Sequence, residues 1–183
     1  MSPLAQPRQA LPVPPPQQAD ATLGPIIDQF RSCVCGELAA AKRPVCRTCG
    51  CCLYPGDTLP PATACDCKDG GQGQAWVRIV GWEPQQTTNR RETKHCQPVR
   101  LRITLEAGVY RCVTTVGPDG QSPPTCEEQD ADFWGLLADA AALRRAVSCC
   151  PALQRRGLEV TKAEPTGVQG GCAGQLIQFA LDV

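Results

Sequence analysis

Hydrophobic residues recur with two different periods along the chain. From Leu23 to Ala41, the residues Leu23, Ile26, Ile27, Phe30, Val34 and Leu38 return at steps of three and four, the spacing that lines one face of a helix. Thr22 stands where an N-cap belongs, and Pro44 lies just past the last turn, where a helix cannot continue. A second helical pattern begins at Thr125, which with Glu128 has the spacing of a capping box. Phe133, Leu136, Leu137, Ala140, Leu143 and Val147 then keep the period up to Cys149 and Cys150, and Pro151 ends it.

Elsewhere the period is two. Gln74 to Trp82 is rich in β-branched and aromatic residues and bounded by Gly73 and Pro84, which predicts a strand. In Val99 to Cys112 the residues Val99, Leu101, Ile103, Leu105, Ala107 and Val109 face one way, while Arg100, Arg102, Thr104, Glu106 and Tyr110 face the other. A long strand with one apolar and one wet face is expected, antiparallel to its predecessor across the polar connection Gln85 to Pro98. Leu158 to Thr161 and Leu176 to Val183 are also strand-like, with Ile177, Phe179 and Leu181 alternating against Gln178 and Asp182, and Gly167 to Gly174 supplies the turn between them.

Two segments carry neither period. Residues 44–73 hold six cysteines, four prolines and five glycines, a loop held by its thiols rather than by a core. Residues 1–22, with Pro14-Pro15-Pro16-Gln17-Gln18, form a Pro-rich extended arm, since proline fixes φ and removes backbone donors. That composition is found in free termini and also in straps laid over a neighbouring subunit. The remaining chain, 23–183, reads as a single α+β domain. A four-stranded, mainly antiparallel sheet with both helices on one face buries all the apolar stripes.

Composition narrows the function. The 183 residues leave no room for a large multidomain enzyme, and 18 Lys+Arg against 18 Asp+Glu give no basic excess for a nucleic-acid backbone. The start of the chain lacks the basic and continuous apolar regions of a signal peptide, and no uncharged stretch is long enough to span a membrane. A soluble protein made in the cytoplasm is therefore expected.

The 14 cysteines are the outlier. Cys46 and Cys49, a CxxC pair, with Cys65 and Cys67 are candidate ligands of a structural zinc ion. The competing reading is a disulfide framework drawn from Cys33, Cys35, Cys51, Cys52, Cys112, Cys126, Cys149, Cys150 and Cys172. The single histidine, His95, lies beside Cys96 in a polar connection, a poor setting for a nucleophile pair. HExxH, GxSxG and phosphate-loop motifs are absent from the sequence, so no enzyme is expected and no cofactor is called for. Arg90-Arg91, Arg144-Arg145 and Arg155-Arg156 read as solvated faces, since no aromatic residues are interleaved for stacking on nucleic-acid bases. The mixed charge of the long strand, through Arg100, Arg102, Thr104, Glu106 and Tyr110, suits subunit contacts.

Taken together, the segments GPIIDQFRSCVCGEL, CCLYPG, GQAWVRIV, LEAGVYRC, PPTCEEQDADF, LRRAVSCC and GVQGGCAGQ resemble a cysteine-rich group of virion proteins. These are encoded in the head-to-tail connector gene cluster of tailed phages that infect actinobacteria, and within it the chain looks like a tail terminator. The likeness covers Leu23 to Val183 and leaves the Pro-rich arm outside it. It implies a structural protein that forms a homo-oligomeric ring, a hexamer, at the head–tail junction of the virion after assembly in the host cytoplasm. Such a ring caps the tail tube, stops polymerisation of the major tail tube protein and presents a surface to the head-side stopper or adaptor. DNA passes through its lumen without sequence-specific binding. A stopper or adaptor ring is the alternative within this class, and a small zinc-binding adaptor protein the alternative outside it.

Overall fold

A computed structural model describes residues 20–42, 51–56, 58, 73–85, 100–117, 120–154 and 156–183. The elements run α1 (Leu23–Ala40), β1 (Cys51–Leu53), β2 (Gln74–Pro84), β3 (Leu101–Cys112), α2 (Cys126–Cys149), a 3-10 turn (Pro151–Leu153), β4 (Glu159–Gln169) and β5 (Cys172–Asp182). The sheet has the order β1-β2-β3-β5-β4, with β1 parallel to β2 and every other pair antiparallel. The α+β architecture is as expected, with five strands instead of four. The extra strand, β1, is three residues long and lies in the cysteine-rich segment, too short for any period to reveal.

Both helices pack on one sheet face. Leu23, Ile26, Phe30, Val34 and Leu38 of α1 and Ala142, Leu143, Ala146 and Val147 of α2 are buried against Ala75, Val77, Ile103, Leu105, Ala107, Val109, Ile177, Phe179 and Leu181. Phe30 meets Phe179 edge-on, with ring centroids 4.9 Å apart. The start of α1 differs from expectation. Thr22 makes no side-chain cap; instead Asp20 Oδ1 accepts from the backbone N–H groups of Thr22 and Leu23 at 2.8 and 2.7 Å. Those bonds, Leu23 first, hold the Asp20 carboxyl below its ordinary pKa. At α2 the capping box forms as read, between Thr125 and Glu128.

Only part of the α2 pattern faces the core. Its buried residues are Asp139, Ala142, Leu143, Ala146 and Val147, while Phe133, Trp134 and Leu137 are 59%, 64% and 42% exposed. In the first half of the helix the inward side carries the half-buried Asp132, Gly135 and Leu136, and Asp132 accepts from the Thr114 backbone N–H at 2.7 Å, so Phe133, Trp134 and Leu137 fall on the outer side and residues read as core from their spacing are surface.

The β4–β5 hairpin also departs from expectation. Gly170 and Gly171, at φ 57° and 81°, form a tight turn, and Gly167 and Gly174 belong to the strands. β4 is an edge strand, which is why it accepts Pro165, Lys162 and two register shifts. Val160 shares a row with the buried Phe179 yet is 50% exposed, so the helix layer stops short of β4. Among the described residues, no helix is long and apolar enough to cross a membrane.

Two disulfides clamp α1. Cys33 joins Cys150 at the end of α2, and Cys35 joins Cys51 of β1, with sequence separations of 117 and 16. Chain entropy makes the longer loop the more valuable, about 5 kcal/mol against about 3 kcal/mol. Replacing Cys33 and Cys150 together by Ala is expected to cost more than replacing Cys35 and Cys51. Guanidinium unfolding under non-reducing conditions reads the order, and an equal or reversed loss would show that chain entropy is not the dominant contribution.

Candidate functional site

The sheet face away from the helices carries the polar residues, and the antiparallel register sorts them into rows. Arg78, Glu106, Gln178 and Lys162 form one row across β2, β3, β5 and β4; Trp76, Gly108, Leu176 and Glu164 form the next. Trp76 lies flat over Gly108, where an added Cβ would come within 2.1 Å of its ring, so only glycine fits there. The same indole packs against Tyr110 at a tilt of 36° and a centroid distance of 4.7 Å, and Leu176 and Cys172 complete this second apolar cluster.

Glu106 is fully buried at the centre of this face. Its Oε1 accepts from Trp76 Nε1 at 2.9 Å and Arg78 Nε at 2.7 Å, and its Oε2 accepts from Arg78 Nη2 at 2.9 Å and Gln178 Nε2 at 2.7 Å. Burial alone raises the carboxyl pKa. The hydrogen bonds from Arg78, Trp76 and Gln178, with the Arg78 charge, outweigh burial and leave the group below its ordinary value. A second bidentate pair, Arg111 Nε and Nη2 to Asp139 at 3.0 Å each, ties β3 to α2 with both partners buried.

The five residues expected to meet a neighbouring subunit therefore divide. Arg100 is exposed and lines a recess of about 340 Å³ with Gln85, Arg156 and Asp182. Arg102 bridges three strands through Asp182, at 2.9 Å, and Glu159. Thr104 is half-buried, and Glu106 and Tyr110 are interior. The wet face expected of β3 is thus wet only at its start. Alternation tells which residues share a face; it does not tell whether neighbouring strands satisfy them. Trp76 and Arg78 on β2, with Gln178 on β5, had the matching period, and that coincidence was the available signal.

The cysteines divide as well. Beyond the two disulfides above, Cys112 is also disulfide-bonded. Cys52 is exposed on β1, and Cys172 is buried at the start of β5. Cys126 and Cys149 are not cross-linked and carry exposed thiols at opposite ends of α2, a departure from the framework expected of them. The zinc candidates Cys46, Cys49, Cys65 and Cys67 lie outside the described residues, as do His95, Cys96 and Arg90-Arg91. Among the described residues, no group of three or more His, Cys, Asp or Glu is placed to hold a metal ion.

What remains is surface. β1 pairs with Ala75, Trp76 and Val77, and just past its end Ile27, Leu53, Tyr54, Pro55, Val77 and Ile79 line an apolar groove of about 620 Å³. Trp82 is 61% exposed at the far end of β2, Val160 and Val168 are exposed on β4, and Phe133, Trp134 and Leu137 are exposed on α2. These uncovered apolar residues suit contacts with other proteins. The chain matches no protein-family model and no curated protein.

The sign of the acid response follows from Glu106. Its folded pKa lies below its ordinary value near 4.5, so on acidification the unfolded chain takes up the proton first. Its stabilisation is complete above that value and is lost as pH falls through the folded pKa. Glu106→Gln should therefore destabilise the protein at pH 7 by roughly 3 kcal/mol, because Arg78 stays buried without its counter-charge. It should also flatten the acid limb of a stability-versus-pH curve measured by urea unfolding. An unchanged acid limb would assign the acid sensitivity to other carboxyls.

Proposed function

We propose that the protein is a structural component of a phage virion, a tail terminator that assembles as a ring on the tail tube and ends its polymerisation. The reading rests on the resemblance of the seven quoted segments, which extends over the folded body. One structural observation supports it above the others: the helix layer leaves β4 and the end of β2 uncovered, with Trp82 and Val160 exposed on the face that elsewhere forms the core. A subunit built this way gains by burying that flank against a copy of itself.

The interior ionic groups fit the same role. Glu106 is saturated by Arg78, Trp76 and Gln178, and Asp139 faces Arg111 in a bidentate pair, arrangements that hold strands and helix in place. In a ring, contacts between neighbours are heterologous and close by rotation. The exposed flank of β4 and the Trp82 end of β2 supply two different surfaces of the kind such a contact needs. Arg100, at the start of β3, lies in the recess beside that end of the sheet and belongs to the same region.

A phage carrying a suppressible stop codon in this gene tests the assignment through tail length in negative-stain micrographs. Overlong or variable tails unattached to filled heads are expected under non-suppressing conditions. Tails of normal length beside leaking heads would instead assign the chain as a stopper or adaptor, and unchanged infectious particles would remove it from the connector.

A further inference from the structure

Helix α2 carries two stripes. One, through Asp139, Ala142, Leu143, Ala146 and Val147, is buried against the sheet and α1. On the opposite side of the helix, at 3.6 residues per turn, run Asp130, Phe133, Leu137, Ala141 and Arg144, with Trp134 flanking them. Phe133, Trp134 and Leu137 are largely exposed, and the Phe133 and Trp134 rings meet edge-on at 5.4 Å. Asp130 and Arg144 are exposed, and neither has an ion-pair partner among the described residues.

The charges on this stripe are ordered about its centre. Asp130 lies seven residues before Leu137 and Arg144 seven after it, so the stripe is self-complementary when read in opposite directions. We propose that α2 pairs with α2 of a second copy of this chain, antiparallel, across a two-fold axis at Leu137. In that register Asp130 faces the partner's Arg144 and the reverse, two ion pairs from one contact. Phe133 falls level with the partner's Ala141, a large residue beside a small one, as interdigitating helices require. A parallel pair would set Asp130 against Asp130 and Arg144 against Arg144, so the charge order selects the antiparallel arrangement. The contact is isologous and closes at two copies. It is separate from the heterologous contacts of a ring and does not rest on the terminator reading.

Sedimentation of the purified full chain, with Asp130→Arg, Arg144→Asp and the double variant, tests the pairing. All three changes are at exposed positions, and circular dichroism checks that the fold is kept. The wild type is expected to sediment as a dimer. Each single charge reversal should weaken it by roughly tenfold or more, with the double variant restored, because the reversed pair is again complementary. Leu137→Cys, in a chain whose exposed Cys126 and Cys149 are changed to Ser, should give a dimer cross-linked through position 137 under mild oxidation, mapped by mass spectrometry. Failure of the double variant to recover would overturn the antiparallel register. A monomeric wild type, or a larger assembly indifferent to all of these changes, would overturn the contact itself.

Discussion

A carboxylate with no access to water sits at the middle of the central strand, and the sheet is arranged around it. Glu106 is tolerable there only because two neighbouring strands deliver donors to both of its oxygens, Trp76 and Arg78 from β2 and Gln178 from β5. A slip of one residue in either pairing would turn these donors toward the helices and leave the charge unmet. Register is thereby specified from the polar side as firmly as from the apolar side, where Leu105, Ala107 and Phe179 must meet the helix layer.

The helices are positioned by a different device. α1 uses Cys33 and Cys35, two residues apart, to reach α2 on one side and β1 on the other. The Arg111–Asp139 pair then locks the middle of α2 onto β3. Further toward the N-terminus of α2, Asp132 accepts from the Thr114 backbone N–H just past β3, and this third fixing leaves Phe133 and Trp134 on the outer side of the helix. With few aromatic residues in the chain, the body relies on small aliphatic packing and covalent ties, and two of its three tryptophans, Trp82 and Trp134, are left on the surface.

Much of this was legible in the residues. The apolar period of Leu23 to Leu38, the Thr125–Glu128 box and the alternation of Ile177, Phe179 and Leu181 each led to the element observed. The errors have physical reasons. Phe133 and Leu137 keep a helical period but lie on the side of α2 opposite its buried stripe, and period alone does not say which side meets the sheet. Gly167 resembles the start of a turn, but an edge strand has one side free of ladder bonds and tolerates it. Glu106 and Tyr110 looked solvated because a charged residue on an alternating strand usually is; their partners are distant in sequence, and only strand pairing brings them together. Of the candidate site, the cysteines of α1 were identified correctly as disulfide formers, but which sulfur each would meet depends on how α1 docks.

The Cys33–Cys150 bond has a topological effect as well as an energetic one. It turns the 117-residue separation between its ends into a covalent circuit that contains β1, β2, β3 and all of α2. Within that circuit lie the glycine-, proline- and charge-rich stretches of sequence between β1 and β2 and between β2 and β3. A backbone cut anywhere along the circuit leaves two pieces still joined as one molecule until the sulfur bridge is reduced.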